Sequence, residues 1–335
     1  MFNNFYEKTK NFIKETYKSI IFFILLYIVL MYPVNYYIVT GGGTMSVSDK
    51  IKIEDGYKSK GSFNLSYVSE IKGTVATYLL SYIVPSWDLL KVSDYTYNDK
   101  EDAKDVYLRS VIDLENANSF AIKNAYSEAN KTYTVKDSSV YVYYIDPKNK
   151  NDFKVGDKVL KIEGNTVNSI ENYKDVISTH DSGDTVKVLL ERNSKEKEIS
   201  VKLYKKNGGV LSGVFLNQVN TYKTYPKIKF KFSKTESGPS GGLIETLEIY
   251  NKLTKYDLTK GRKIAGTGEI DEDGNIVSIG GVKYKLAGAV KDKADIFIVP
   301  EKNYKTCLRE KKKNNYKIKI ISVSTFKEAI YKLNR

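Results

Sequence analysis

The feature that most constrains this chain is a long uncharged stretch near its start. No charged residue occurs from Ser19 through Ser48, and "SIIFFILLYIVLMYPVNYYIVT" fills residues 19–40. About 20 apolar residues suffice to cross a bilayer as a helix. Several lysines precede the stretch, whereas the next basic residue after it is Lys50. By the positive-inside rule we expect a cytoplasmic N-terminus over 1–18, a transmembrane anchor over 19–40 and an extracytoplasmic remainder.

A cleaved signal peptide is the main alternative for this stretch. No small-x-small cleavage site follows at a suitable distance, and the apolar run is longer than a usual signal core. A buried helix of a soluble domain would not need the flanking lysines. The sequence therefore favours an uncleaved, single-pass anchor in the cell membrane.

The composition excludes several classes of site and partner. The net charge is +14, but nearly all of the 54 basic residues are lysines spread over every segment. A nucleic-acid-binding protein more often concentrates arginine on one face, so we expect no nucleic-acid partner. One cysteine, Cys307, excludes an internal disulfide and a cysteine-rich metal site. One histidine, His180, excludes multi-histidine zinc sites and confines any His-based triad to that residue.

The segment over residues 41–129 shows no candidate chemistry. "TGGGT" at residues 40–44 predicts a linker. Beyond it, strand-like runs accompany one predicted helix, "YVSEIKGTVATYLLSYIVP", which ends at Pro85. We interpret 41–129 as a juxtamembrane extracytoplasmic region that acts as a spacer or a packing domain.

Residues 130–205 have the pattern of a small β-rich domain. "SVYVYYI", "KVLKIEG", "TVKVLLER" and "EISVKLY" predict strands, and "IENYKDVIST" predicts a helix. The stretch "FKVGDKVLKIEG" resembles the core pattern of the PDZ family at Phe153, Gly156, Asp157, Val159, Ile162 and Gly164. The resemblance implies a groove that captures an extended peptide as an added strand. "TVKDSSV" stands where the family holds a C-terminal carboxylate, and a β-domain without a ligand is the alternative.

Residues 210–335 alternate strands and helices, the pattern of an α/β domain. Strands are predicted over 227–232, 295–300 and 316–323, and helices over 243–253 and 282–293. "IAGTGEIDEDGNIVSIGG" predicts a hairpin through Asp273-Gly274, and a capping box of Thr325 and Glu328 opens a last helix. No calcium loop is expected at "DEDG", because the twelve-residue ligand spacing is absent.

"SKTESGPSGGLIETLEIY" presents Ser240 between glycines at the start of a predicted helix. The free N–H groups of a helix start favour developing negative charge, and glycines let a substrate backbone approach closely. The same pattern fits a phosphate-binding loop or a plain turn. No Lys-Ser/Thr pair follows, which excludes a P-loop, and "GxxxxGK[ST]" occurs nowhere in these residues.

A nucleophilic serine needs a base, and the histidine count leaves lysine as the remaining type. Lysine accepts a proton only when neutral, which requires burial among apolar neighbours. Lys285 shares a helical row with Val282 and Ala289, whereas Lys283 lies about 160° round the helix. Spacing alone leaves both lysines open. Thr267, in "AGTGEI", offers a hydroxyl to orient the amine.

From about residue 226 to 333 the chain resembles the proteolytic domain of Lon-type serine peptidases. "GPSGG", "AGTGEID-x-DG-x-I-x-x-IGGVKYKLAGA" and "D-x-FIVPEKNY" occur in that family's order and spacing. The resemblance implies that Ser240 is the nucleophile, Lys285 the general base and Thr267 the supporting threonine. Two positions depart from the usual pattern: Gly241 replaces an alanine, and Ser237 replaces an acidic residue. Neither removes a reacting group.

The layout as a whole is similar to that of membrane-anchored PDZ–Lon-type peptidases of Gram-positive bacteria. The implied fold class is α/β: an α+β Lon-type proteolytic domain over 210–335, a PDZ-like β-rich domain over 130–205 and an N-terminal transmembrane helix. The implied function is ATP-independent endopeptidase activity, without cofactor or metal, on exported peptides or membrane-protein segments. The resemblance also allows a homo-oligomer.

Two functions from other classes compete with this hypothesis. One is a non-enzymatic, membrane-tethered PDZ protein that keeps the Lon-like domain as a scaffold. The other is a basic surface protein that binds anionic lipid or wall polymer, which only the net charge of +14 suggests.

Overall fold

A computed structural model describes residues 2–84, 87–233 and 236–335 of the chain. The α-helices are α1 (Phe2–Leu30), α2 (Val75–Leu80), α3 (Ala103–Glu128), α4 (Ile170–Ser178), α5 (Gly242–Leu253), α6 (Val282–Lys291), α7 (Glu301–Lys313) and α8 (Phe326–Asn334). The strands are β1 (Pro33–Ser46), β2 (Ile51–Ile53), β3 (Ser62–Thr74), β4 (Trp87–Lys91), β5 (Thr132–Ile145), β6 (Lys158–Ile162), β7 (Asn165–Thr166), β8 (Thr185–Arg192), β9 (Lys195–Lys202), β10 (Tyr204–Lys206), β11 (Gly209–Leu211), β12 (Val214–Tyr225), β13 (Ile228–Phe230), β14 (Lys263–Gly266), β15 (Glu269–Ile270), β16 (Ile276–Val277), β17 (Ile296–Pro300) and β18 (Lys319–Val323). Short 3₁₀ turns occupy Val92–Asp94 and Pro239–Gly241.

The chain forms two compact units. The first unit comprises Met1–Gly41 and Ser69–Tyr95, and the second comprises Gly42–Val68 and Thr96–Arg335. In the first unit β1 and β4 pair antiparallel, and Thr74 caps α2 by accepting the N–H of Thr77 at 3.3 Å. The apolar side chains from Ile20 to Val29 on α1 are exposed.

The prediction of a single helix over 19–40 is wrong in its extent. α1 ends at Leu30, and β1 begins at Pro33. Proline cannot continue a helix, and it drives the residue before it towards extended backbone. None of the helices in the described ranges combines the length and the apolar character needed to cross a membrane.

The helix expected to end at Pro85 is also mostly wrong. Residues up to Thr74 belong to β3, only Val75–Leu80 are α-helical, and Pro85 lies outside the described residues. The apolar spacing of this segment fitted a helix. Its β-branched and aromatic residues instead favour the pleated, half-buried surface of a sheet.

A parallel sheet organises the C-terminal part of the second unit. Its strands lie in the order β3-β14-β17-β18, and every neighbouring pair is parallel. One face, with Ile264, Ile296 and Ile298, packs against α3, α5 and α8. The other face, with Ala265 and Phe297, packs against α6 and α7. Because both faces are covered, the central strands are apolar throughout, as in "IFIVP".

The segment 41–129, for which the sequence indicated no chemistry, contributes to this core. β3 pairs with β14 along residues 62–65, and β2 pairs with β13. α3 begins after Asp102, whose side chain accepts the N–H groups of Lys104 and Asp105 at 2.7 and 3.1 Å. α3 then packs against α5, β12 and the turn Pro239–Gly241.

The predicted strands and helix of residues 130–205 are confirmed as β5, β6, β8, β9 and α4. The sheet has the order β12-β5-β6-β8-β9, and β7 pairs with β6. Phe153, Val159 and Ile162 are buried in its core. Gly156 and Gly164 have φ angles of +86° and +77°, which glycine adopts readily.

Candidate active site

The turn that carries Ser240 is formed by its glycines and proline. Gly238 has φ +89°, and Pro239 opens the 3₁₀ turn that leads directly into α5. The N–H of Gly238 donates to the carbonyl of Ser110 on α3 at 2.8 Å. Ser240 is half-buried, unlike Gly241, which follows it and is buried.

The segment after β14 braces this turn through the carbonyl of Ser240. That oxygen accepts the N–H of Gly268 at 2.9 Å and the hydroxyl of Thr267 at 3.0 Å. The N–H of Leu243 in turn donates to the carbonyl of Gly268 at 2.9 Å. A Cβ on Gly268 would lie 3.1 Å from the Leu243 side chain, so a larger residue here would require that side chain to shift. Sequence reasoning missed this backbone bridge.

α6 brings a lysine amine to the serine hydroxyl. Lys285 Nζ lies 2.9 Å from Ser240 Oγ and 3.1 Å from Thr267 Oγ1. Lys285 is 4% exposed and Thr267 is fully buried. Lys283, the other lysine that the helix spacing left open, is exposed, and its amine lies 4.6 Å from the ring centroid of Tyr284. The structure thus brings together Ser240, Thr267 and Lys285.

Two carboxyl groups near this cluster were not predicted as part of it. Glu269, two residues after Thr267, has a raised pKa because it is partly desolvated and lies near Asp113 and Asp271. Glu245, on α5, is fully buried, and burial is the main cause that raises its pKa to about 8, with the charge of Glu236 adding to it. The sequence signal for Glu245 was an acidic residue amid the apolar start of a helix.

His180 lies in the PDZ-like domain, and its Nδ1 is 2.8 Å from the carbonyl of Val176. On the same domain α4 begins beside β12, where the N–H of Ile170 donates to Gln218 Oε1 at 3.2 Å. β12 is the end strand of its sheet in the described residues. An end strand beside a helix can accept an extended peptide as a further strand.

The arrangement around Ser240 has the parts of a nucleophilic site. A hydroxyl at a helix start lies within hydrogen-bond reach of an amine, and a second hydroxyl contacts the same amine. Lys285 is buried, and in general burial disfavours the charged form of an amine, whose neutral form can accept a proton. Such a set is suited to acyl transfer.

The chain matches the models of two protein families. The PDZ domain matches residues 112–203, and the Lon protease (S16) C-terminal proteolytic domain matches residues 231–333. The Lon protease of Desulfatibacillum aliphaticivorans is 33% identical over 97 residues, which cover 29% of this chain and 12% of that protein. The Lon protease of Elusimicrobium minutum is 24% identical over 176 residues, which cover 52% and 19% respectively. The chain therefore spans less than a quarter of the length of these relatives.

Solved structures similar to the chain include two PDZ domains. The PDZ domain of an SdrC-like protein from Listeria monocytogenes is 28% identical, covers 25% of this chain and 92% of that one, and has a TM-score of 0.22. Its counterpart from Listeria innocua is also 28% identical, covers 23% and 92%, and has a TM-score of 0.21. The family matches show that the chain carries a PDZ domain and a Lon-type S16 proteolytic domain, and the Ser240, Thr267 and Lys285 cluster lies within the second.

Proposed function

We propose that the protein is an ATP-independent serine endopeptidase with a Ser240–Lys285 dyad. The observation that carries the proposal is the 2.9 Å separation of Lys285 Nζ and Ser240 Oγ, with Lys285 buried and Ser240 half-buried. Thr267 supports the pair from its buried position. The match to the Lon protease proteolytic domain supports a serine peptidase of this class.

The proposed reaction begins with proton transfer. The neutral amine of Lys285 takes the Ser240 proton as Oγ attacks the carbonyl carbon of a peptide bond. Backbone N–H groups of the turn at Ser240 that leads into α5 stabilise the resulting oxyanion. The Lys285 ammonium then gives its proton to the leaving amine nitrogen, the C–N bond breaks, and an ester on Ser240 remains.

Water completes the cycle. Lys285 takes a proton from water as its oxygen attacks the ester carbon, and the proton passes back to Ser240 Oγ when the ester bond breaks. The products are a carboxylic acid and a new amino terminus. Thr267 orients the amine between these steps, since its hydroxyl contacts both Lys285 Nζ and the Ser240 carbonyl. No step consumes a nucleotide or uses a metal.

The PDZ domain is proposed to present or gate the substrate. An extended peptide would pair with the outer edge of β12, beside α4, through main-chain hydrogen bonds. β12 also packs against α3, the helix whose Ser110 carbonyl accepts the N–H of Gly238. The proposed substrates are exported peptides or segments of membrane proteins.

The proposed location is the cell membrane, with a cytoplasmic N-terminus and an extracytoplasmic catalytic domain. The support is the run of lysines before the uncharged stretch from Ser19 to Ser48. A C-terminal fusion to alkaline phosphatase, which is active only outside the cytoplasm, tests it. High phosphatase activity in cells supports the topology, and an inactive but expressed fusion contradicts it.

Cleavage of casein by the full chain, without nucleotide, tests the proposed activity. We expect Ser240→Ala and Lys285→Met each to lose at least about a thousandfold in rate, because either change removes the reacting pair. Lys283→Met, an exposed lysine on the same helix, is the matched control and should keep full activity. Release of new amino termini is measured with an amine-reactive fluorophore.

Equal cleavage by wild type, Ser240→Ala and Lys285→Met would reject the endopeptidase. Absence of cleavage by all of them, together with peptide binding, would favour the non-enzymatic PDZ protein. A strict requirement for added ATP would contradict ATP independence. Sequencing the amino termini that appear in cells with wild type, and not with Ser240→Ala, identifies the substrates.

A further inference from the structure

The proposed mechanism leaves one buried ionisable side chain beside the nucleophile without a role. Glu245 is on the first turns of α5, four residues after Gly241, and is 0% exposed. Neither carboxyl oxygen has a hydrogen-bond partner among the described residues. Buried carboxyl groups in proteins are normally paired or hydrogen-bonded, because an isolated buried charge is costly.

The Glu245 carboxyl lies directly against the residue that follows Ser240. A Cβ on Gly241 would be 2.5 Å from Glu245 Oε1 and 3.2 Å from Leu65 Cδ2. Helix side chains point towards the N-terminus, so a residue at i+4 meets the residue at i. An alanine at position 241, the residue of the usual Lon-type pattern, would therefore require the Glu245 carboxyl to move.

The charges around Glu245 favour its neutral form. Glu236, in the loop before Gly238, is the charged group that acts on it, and Glu236 pairs with Lys50 at 2.8 Å. α3 and β15 also pack against α5; α3 carries Asp113 and β15 carries Glu269, and the charge of Asp113 acts on Glu269. Among the described residues no charged group of α3, β2, β14, β15 or α8 adds to the effect of Glu236 on Glu245. Within the described part of the chain, the groups that act on Glu245 include no cation.

We propose that Glu245 is a positioning residue of the Ser240 site: as a neutral acid it fills the space beneath Gly241 and supports the nucleophile turn, and its ionisation switches the site off. The inference rests on the proposed function. A carboxylate at this position would place a negative charge next to the backbone where the oxyanion develops, and would draw solvent or a cation into the packed helix start. Two negative charges that lie close together in a low-dielectric environment repel each other strongly.

The pH dependence of casein cleavage tests the proposal. For wild type we expect the rate to fall on the alkaline side near the pKa of about 8 of Glu245. Glu245→Gln keeps the shape and cannot ionise, so its alkaline fall should disappear. Between pH 7 and pH 10 wild type should lose at least about tenfold relative to Glu245→Gln.

If Glu245 had only a structural role, its substitution would change the overall rate and leave the alkaline fall in the rate unchanged. An alkaline fall of equal size and midpoint in both proteins therefore overturns the proposal. Gly241→Ala adds a geometric check, because its methyl group must displace the Glu245 carboxyl. It should lower the melting temperature of wild type and lower it less in a Glu245→Ala background, and equal shifts would contradict the contact.

The protonation of Glu245 can be measured without peptidase activity. The infrared carbonyl stretch of a protonated carboxyl group should be present in full-length wild type at pH 7 and absent from Glu245→Gln, and it should vanish from wild type as the pH rises. If wild type cleaves nothing at any pH, the proposed function fails while this spectrum still decides the state of Glu245. No difference between the two spectra would overturn the inference on its own.

Discussion

The buried carboxyl of Glu245 makes the stability of the protein depend on pH in a calculable way. Its pKa is raised from 4.5 to about 8, mainly by burial, so the folded state holds this proton more tightly than the unfolded chain. The stabilisation is fully present below pH 4.5, falls as the pH rises and is gone above about pH 8. At roughly 1.4 kcal/mol for each pH unit, the loss over this window is up to about 5 kcal/mol.

Glu245→Gln isolates this contribution, because the amide cannot ionise and every other group titrates in both proteins. The free energy of unfolding by urea is measured for the full chain at fixed ionic strength, from pH 4.5 to pH 9. We expect the variant to gain on wild type by up to about 5 kcal/mol between pH 4.5 and pH 8, and to gain no more above it. A difference that stays constant over the whole range would refute the reasoning.

Three further predictions address other parts of the second unit. Thr267→Val loses the contacts to both the amine and the serine carbonyl, so kcat should fall about 10- to 100-fold with little change in KM, while Thr267→Ser retains activity. Gly266→Ala places a Cβ 2.3 Å from Ile298 Cγ2, so urea unfolding should show a loss of about 2 kcal/mol or more. Asp157→Ala breaks a two-bond pair with Arg192, each bond 2.7 Å, and should cost the PDZ domain about 3 kcal/mol by the same measurement.

Local sequence patterns predicted the elements that present the candidate site. The glycine and proline around Ser240, followed by helical spacing, predicted α5, and the spacing of "VKYKLAGAVK" predicted α6. Because the chain has one histidine, a histidine base was nearly excluded, and lysine remained as the candidate base. The choice of Lys285 over Lys283 needed the resemblance, because helix periodicity says which residues share a face and not what that face meets.

What depends on long-range contacts could not be predicted in this way. β3 lies about 200 residues before β14 in the chain, yet the two pair in parallel, and no local pattern specifies such a partner. The apolar stretch near the N-terminus had the composition of one long helix, but Pro33 ends it and starts a strand. The brace from Gly268 to the Ser240 carbonyl is made by backbone atoms, which leave little trace in residue type.

The contact between Gly241 and Glu245 could not be predicted from either residue alone. In the sequence, a glycine at a helix start indicates a flexible backbone, and an acidic residue in the first turn indicates a favourable interaction with the helix dipole. In the structure the glycine leaves room for the acid, and the acid is too deeply buried to carry a charge at low cost. An alanine at 241, the residue of the usual Lon-type pattern, would thus displace a side chain one helical turn away.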